Sequence, residues 1–353
     1  MQTIDQAARA GAGPDPLGVL SSCATVVNDS IHVSIYTTTI QSFVETVIEE
    51  SVPPPAWDVA THFQGFGPEA TEQTIGWIFA LDALNFCFWG QADDPSDRWR
   101  IESGGVTHDG YMALAIALRD AARAGIPIWD PGWQAAVDEP ALERILGPAP
   151  GSAAIPLMPE RVTNLRELGA GMQAFERGSR PYGAFVAAAG SSAPRLVQAI
   201  VDTFPSFRDV ARWTPAGGEG PSIEVRFLKR AQILVSDLAA ALADAPDVAI
   251  ANRDQLTAFA DYKVPQVLRH FGMLAYDDDL AGRIRKRTAI AAGSREEIEI
   301  RAATIWGCEL IRQELDRHGG RFTASDVDWL LWNAGQSLPA DHEPYHRTVT
   351  MFY

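Results

Sequence analysis

The stretch that most limits what this chain can become is 72–89, EQTIGWIFALDALNFCFW. It is apolar nearly all round and long for a strand, so it predicts a helix enclosed on every side. Such a helix cannot lie at a surface, and other elements have to be wrapped around it. Asp82 and Asn85 within it then require partners or a ligand, because a buried polar group left without one costs free energy.

The surrounding elements also read as helices. Residues 34–50 carry Ile35, Ile40, Phe43, Val44, Val47 and Ile48 on a helical period that ends at Val52-Pro53-Pro54-Pro55. Further helical patterns run over 111–124, 140–146, 159–175, 193–204, 224–243, 254–271, 294–318 and 325–335. Several of these are closed by a glycine: Gly125, Gly147, Gly272 and Gly319. The best strand signal lies within 98–111, where Trp99, Ile101, Gly104-Gly105 and Val106 predict a small hairpin.

Helices joined by short turns, with at most this hairpin, predict a mainly α fold. No solenoid repeat appears, and no low-complexity tract beyond the Ala-rich 185–190. At 353 residues, 46% apolar and 21% charged, the chain can bury a large core. No long linker divides 75–353, so we expect one domain over 1–353, or two lobes sharing a core.

Composition excludes several functions. A net charge of -16, from 29 basic and 45 acidic residues, repels a polyanion over most of the surface, so long DNA or RNA is not the expected partner. A small anion can still be held by a few Lys and Arg gathered in one pocket. The three cysteines, Cys23, Cys87 and Cys308, are not a disulfide set. The first residues lack a signal peptide's basic start and apolar stretch, and no apolar run approaches the roughly 18 residues that span a bilayer; a cytoplasmic protein with no membrane partner is expected. No dinucleotide or triphosphate cradle motif follows a strand, so no cofactor is expected. His342 and His346 sit in a Pro-containing tail and no Cys pair has zinc spacing, so no metal is expected either.

Four places carry candidate chemistry. In 224–242, Phe227, Ala231, Leu234 and Leu238 form the apolar face, and the adjacent cations Lys229 and Arg230 stand roughly 100° apart around it, so one of them must approach the core. The alternative is a solvated pair with its stems along the helix. In 254–271 the buried stripe is Leu256, Phe259, Ala260, Val264, Val267, Leu268 and Phe271, with Asp261 half-buried beside it. Pro265 there predicts a kink or a fresh helix start. A cap or a structural salt bridge explains Asp261 equally well at this level. Residues 202–209 put Asp202, Phe204, Ser206, Phe207, Arg208 and Asp209 at a helix exit marked by Pro205, where rings either stack a flat ligand or seal the core. The end of the chain, with Tyr345, His346, Arg347 and Tyr353, reads as a docked tail.

Taken together, LDALNFCFW (81–89), VDTFPSFRDV (201–210), FLKRAQILVSDL (227–238), FADYKVPQVL (259–268), EEIEIRAATIWGCELI (296–311) and PYHRTVTMFY (344–353) resemble the queuosine salvage protein family. The resemblance runs in order from about residue 57 to the last residue. The first 50 or so residues (1–56) carry little of it.

The resemblance implies a helical fold like that of the DNA glycosylases and hydrolysis of queuosine 5'-phosphate to queuine and ribose 5-phosphate. It implies that Asp261 is the catalytic carboxylate, that Lys229 accompanies it, and that Asp202, Phe204 and the segment with Asn85, Phe86 and Trp89 meet the base. His62, shortly after Trp57, is the candidate from the N-terminal side, and Tyr262 adjoins the carboxylate.

Cleavage of an N-glycosidic bond builds positive charge on the sugar, which a fixed carboxylate stabilises in a water-poor pocket. Asp261 either attacks the sugar or takes a proton from water. Lys229 is expected to hold it ionised and oriented. Arg230, Tyr345, His346 and Arg347 are the phosphate candidates, and Asp202 suits the hydroxyls and ammonium of the queuine side chain. Phe204 and Trp89 would stack the ring, at about 1 to 3 kcal/mol per face. The expected partner is therefore a small molecule, queuosine 5'-phosphate or queuosine. The rivals are a nucleic-acid base glycosylase and a non-catalytic nucleoside-binding protein.

Overall fold

The computed structural model describes residues 4–54, 56–90, 98–175, 178, 180–217, 220–245, 248–339 and 341–353. The chain forms two compact units, one of Met1–Pro55, Asp209–Gln232 and Asn252–Val349, the other of Ala56–Arg208, Ile233–Ala251 and Thr350–Tyr353. Both are mainly helical. Among the described residues no helix is long and apolar enough to cross a membrane.

The first unit is built on the helix Arg295–Arg317, which packs against Val19–Asn28, Thr37–Glu49, Lys263–His270 and Ala324–Gln336. Ser294 caps its start by accepting the Glu297 amide, and Glu296 and Glu297 in its first turn suit the helix dipole. It is buried along nearly its whole length, Ile298, Ile305, Trp306 and Ile311 included, and the Trp306 indole donates to the Leu20 carbonyl at 3.0 Å. The N-terminal residues are part of this core. Val33–Ile35 pairs antiparallel with Leu274–Tyr276, and Glu299 accepts from Ser30 Oγ at 2.8 Å and the His32 amide at 2.7 Å.

In the second unit the helix Ala70–Ala83 is buried from Thr74 to Ala83, as its all-round apolar sequence requires. Met158–Phe175, Pro181–Ala188 and Gly110–Arg123 surround it. Pro131–Ala136 lies so close to Met158–Phe175 that a Cβ on Gly169 would come within 2.3 Å of the Ala135 nitrogen, which only glycine permits. The expected hairpin is present as Arg100–Ser103 with Val106–Asp109. Gly104 and Gly105 both take positive φ, 58° and 78°, as its two-residue turn demands.

Four expectations are corrected. The helix read over 72–89 ends at Ala83, and 84–89 continues as irregular buried chain with Cys87 at φ 41°. The helix read over 224–243 is a strand, Ile223–Arg226, followed by the helix Lys229–Ala241. The strand pairs with Val210–Trp213, the strand just before it, and that partner decides a segment whose side-chain pattern suits either structure. The helix read over 254–271 is helical only in the short turn Arg253–Gln255 and in Lys263–His270, with extended chain between them. A single hairpin was expected; two further strand pairs are present.

Candidate active site

Asp261 ends the run 256–261 and stands just ahead of the helix Lys263–His270, separated from it by Tyr262. Its Oδ1 accepts the amides of Lys263 at 2.9 Å and Val264 at 2.8 Å, two of the N–H groups that a helix start leaves without partners. Pro265, the next residue, has no N–H to satisfy, so it sits without penalty in the first turn and marks a start rather than a kink. Asp261 is half-buried, as expected, but at a helix N-terminus rather than beside a helical stripe.

The extended run is held by buried side chains. The Thr257 amide donates to Gln232 Oε1 at 2.9 Å, and Gln232 Nε2 donates to the Phe227 carbonyl and to Thr257 Oγ1, each at 2.9 Å. The Phe259 amide donates to Asp328 Oδ1 at 2.8 Å. The Ala260 carbonyl accepts from Arg301 Nε at 3.1 Å. Arg301 also donates through both Nη atoms to Asp209, at 2.9 and 2.5 Å, and its guanidinium lies 3.9 Å from the centre of the Phe227 ring. Asp209 in turn accepts the Lys229 amide at 3.1 Å. One buried ion pair thereby sets the backbone of both Asp261 and Lys229.

Lys229 and Arg230 are both buried, which rules out a solvated pair and goes beyond the expectation that one of them approaches the core. Burial pushes the Asp261 carboxyl above the ordinary carboxylate range. The Lys229 charge is the largest influence pulling it back, followed by the Val264 and Lys263 amides and the Lys263 charge. Asp328, buried on the neighbouring helix Ala324–Gln336, is pushed well above that range by burial first and by the Asp261 charge second. Both carboxyls thus feel the Lys229 charge, and Asp261 feels that of Lys263 as well.

Close to Asp261 in this unit, Tyr262 meets Tyr345, with ring centres 4.8 Å apart. Gln266, on the helix that Asp261 caps, donates to the Glu343 carbonyl at 2.8 Å and so ties down the approach to the tail. His346 and Arg347 are buried, and the His346 imidazole is driven down to about 3 by burial and then by the Arg301 charge. It is therefore neutral near neutral pH and offers a phosphate one hydrogen bond rather than a positive charge.

The remaining sequence candidates belong to the second unit. His62 Nδ1 lies 2.6 Å from the Asp58 carbonyl, to which it donates, and its Nε2 lies 2.8 Å from the Tyr111 hydroxyl. That hydroxyl is 3.3 Å from Asp237 Oδ2. Burial lowers the His62 pKa, which favours a neutral ring accepting at Nε2, and Trp57 stacks on it at 3.8 Å. Asn85 donates to Asp82 Oδ1 at 3.0 Å, which gives Asp82 and Asn85 each other as partners.

The irregular chain with Asn85, Phe86 and Trp89 is held by Arg161, whose Nη2 donates to the carbonyls of Phe86 at 2.5 Å and Cys87 at 2.9 Å, with Nη1 donating to that of Leu84. The end of the chain docks here as expected, Cys87 donating its amide to the Tyr353 carbonyl at 3.0 Å. Phe204 is wholly buried against Phe185, Phe207 and the glycine face at Gly171, so its ring seals the core. Asp202 lies exposed on its helix and accepts from Gln198 at 2.8 Å, one turn away. These surroundings give neither Phe204 nor Asp202 a contact suited to the base.

Asp209 was read only as a member of the cluster 202–209, and Arg301 and Asp328 were not singled out in the sequence, although a signal for both exists. Arg301 falls three residues after Ile298 and four before Ile305, and Asp328 shares the stripe of Ala324, Val327, Leu331 and Gly335. A charged residue at a core position of an amphipathic helix is costly unless a buried partner requires it.

The model of one family, described as queuosine salvage protein, matches residues 65–353. A Sphaerobacter thermophilus protein named queuosine 5'-phosphate N-glycosylase/hydrolase is 44% identical over 339 residues, 96% of this chain and 98% of its own. Proteins of the same name from Mus musculus and Schizosaccharomyces pombe are each 34% identical, over 80% and 76% of this chain and 83% and 76% of their own. With 96% of the chain covered by the match to the bacterial relative, the alignment takes in most of the residues ahead of 65, including much of the segment that carries little of the motif resemblance.

Proposed function

This chain belongs to the queuosine salvage protein family, and on that premise we propose that it is an N-glycosidase that hydrolyses queuosine 5'-phosphate to queuine and ribose 5-phosphate. The observation that carries the proposal is the Asp261 carboxylate at a helix start, with Oδ1 committed to two backbone amides and the Lys229 charge directed at it. Those amides and that charge favour the ionised form against burial, and an ionised, immobile carboxylate is what a developing sugar cation needs.

With Oδ1 committed to the helix, the chemistry falls to Oδ2. As the bond from the base nitrogen to the anomeric carbon lengthens, Oδ2 stabilises the positive charge on the sugar, and the bonding electrons leave with the base. Water, or Oδ2 followed by water, then completes the substitution and supplies the proton that the departing base takes up. Lys229 keeps Asp261 ionised until the sugar charge forms. Arg230 and Arg347 supply positive charge for the 5'-phosphate, with Tyr345 and the neutral His346 as hydrogen-bonding groups.

We further propose that the substrate is the free nucleotide rather than tRNA, supported by the net charge of -16. The test is incubation of the protein separately with queuosine 5'-phosphate, queuosine and queuosine-containing tRNA, with queuine and ribose 5-phosphate measured as products. Queuine from the nucleotide and none from the tRNA is the expected result. No queuine from either free form would overturn the function, and equal release from intact tRNA would overturn the substrate.

A further inference from the structure

Within the first unit, the tail that carries Tyr345, His346 and Arg347 is fastened to the segment of Asp261 at two points. Tyr345 meets Tyr262, with ring centres 4.8 Å apart, and the Glu343 carbonyl accepts from Gln266 Nε2 at 2.8 Å. Beyond them the Arg347 carbonyl accepts the Ile290 amide at 2.7 Å. The carboxylate and the tail are far apart in sequence, and these contacts fix the distance between them. Gln266 is buried, and its other end accepts from Lys263 Nζ at 3.2 Å. One side-chain amide therefore holds the tail backbone and a lysine ammonium together.

The Lys263 stem runs past Gly335 on the helix Ala324–Gln336. A Cβ there would come within 2.7 Å of Lys263 Cε and 2.8 Å of Val267 Cγ2, so the missing side chain leaves the channel that the stem occupies. The ammonium is thereby led one turn along its own helix, toward Gln266 and the tail, rather than back to Asp261. In keeping with that course, the Lys263 charge comes last among the influences that pull the Asp261 carboxyl down, after Lys229 and the two amides. The Glu343 carboxylate has Arg269 at 3.4 Å and Arg285 at 3.7 Å as ion-pair partners. The amides of Lys263 and Val264 at the helix start belong to Asp261, so an anion bound beside them has to be met by side chains.

A nucleoside 5'-phosphate presents its phosphate from C5', one sugar ring away from the anomeric carbon. A cation for it has to lie near the catalytic carboxylate without being bound to it, and has to keep a fixed place relative to it. Lys263 meets both conditions. We propose that Lys263 binds the 5'-phosphate of the substrate, and that Gln266 is the positioning residue that sets its ammonium and the tail at the distance a nucleotide requires. The proposal rests on the reading of Asp261 as the catalytic carboxylate and of the tail as phosphate-binding. The pair makes the site favour nucleotide over nucleoside, because an uncharged 5'-hydroxyl gains nothing from the ammonium charge.

The experiment measures kcat/KM for queuosine 5'-phosphate and for queuosine, and calorimetric binding of ribose 5-phosphate, in wild type, Lys263→Met and Gln266→Leu. Methionine fills the channel at Gly335 without the charge, and leucine keeps most of the buried volume without the amide. In Lys263→Met the ratio of the two kcat/KM values, nucleotide over nucleoside, is expected to fall about tenfold or more, chiefly through KM, and ribose 5-phosphate to bind weaker by a similar factor. Gln266→Leu should move both quantities in the same direction. A ratio left unchanged in Lys263→Met would overturn the proposal, and an equal fall for both substrates would place Lys263 with Lys229 in holding Asp261 ionised. Should wild type release no queuine from either substrate, the functional reading fails and ribose 5-phosphate decides alone: weaker binding by Lys263→Met supports the site, whereas equal binding, or none by wild type, overturns it. Should Lys263→Met not fold, Lys263→Gln takes its place with the same outcomes.

Discussion

Arg301 grips Asp209 with both terminal nitrogens, at 2.9 and 2.5 Å, and each partner also holds the backbone of one half of the candidate catalytic pair. Arg301 Nε reaches the Ala260 carbonyl and Asp209 Oδ2 reaches the Lys229 amide, each at 3.1 Å. Only a planar fork makes these three donations together. Arg301→Lys should therefore lower the melting temperature and also reduce kcat, because Asp261 and Lys229 lose their common anchor. Removing one partner of a buried pair costs about 3 to 5 kcal/mol, which is the upper bound for a lysine that keeps the charge but loses the fork. Chemical denaturation beside steady-state kinetics checks this, and a variant destabilised by that amount with unchanged kcat would show that the anchor is not needed for catalysis.

Asp261→Asn retains the shape of the side chain and an oxygen for the Lys263 and Val264 amides, but removes the charge. We expect kcat to fall by a factor on the order of 10² to 10³ while binding of queuosine 5'-phosphate is kept. Turnover together with calorimetric titration separates this enzyme from a nucleoside carrier, for which the substitution would leave function intact.

Lys229 is the largest influence holding Asp261 down against its burial. In Lys229→Met the Asp261 carboxyl rises further, a smaller fraction is ionised at any given pH, and the acid limb of the activity profile moves to higher pH. An acid limb left in place would mean that Lys229 serves the substrate rather than Asp261.

His346 is buried, with its pKa lowered to about 3, firstly by burial. A depressed histidine stabilises the fold above its unfolded value of about 6.5, and that contribution is lost progressively as pH falls toward 3. His346→Gln should therefore flatten the loss of melting temperature between those pH values. Parallel curves for variant and wild type would show that His346 takes up its proton without strain on the fold.

Phe204 separates a core ring from a stacking ring. A Cβ on Gly171 would come within 2.5 Å of its Cε1, so the ring fills its place against the helix Met158–Phe175. Phe204→Ala should cost about 3 to 5 kcal/mol of stability. At a temperature where the variant is folded, KM should stay close to that of wild type, whereas a large rise in KM with little loss of stability would return the ring to the substrate.

The mainly helical character was legible in the sequence wherever a helix buries one face, as in Arg295–Arg317, or every face, as in Ala70–Ala83. Local periodicity carries that information because burial is decided turn by turn. It misled at 223–226 and 256–262, where apolar spacing fits a helix but the backbone hydrogen bonds go elsewhere: to the strand Val210–Trp213 in one case, and to Gln232, Asp328 and Arg301 in the other. Those partners lie outside the segments themselves, and the periodicity within a segment does not contain them.

The same division runs through the site. Asp261 and Lys229 were placed by motif resemblance, and the sequence determined by itself that an acid precedes a proline inside an apolar segment and that two cations interrupt an apolar stripe. Tertiary structure alone decided that the proline opens a helix which Asp261 caps, that both cations are buried, and that Asp209, Arg301 and Asp328 hold the two segments in register. The physical reason is that a buried charge is tolerable only beside its partner, and the partner is supplied by the fold.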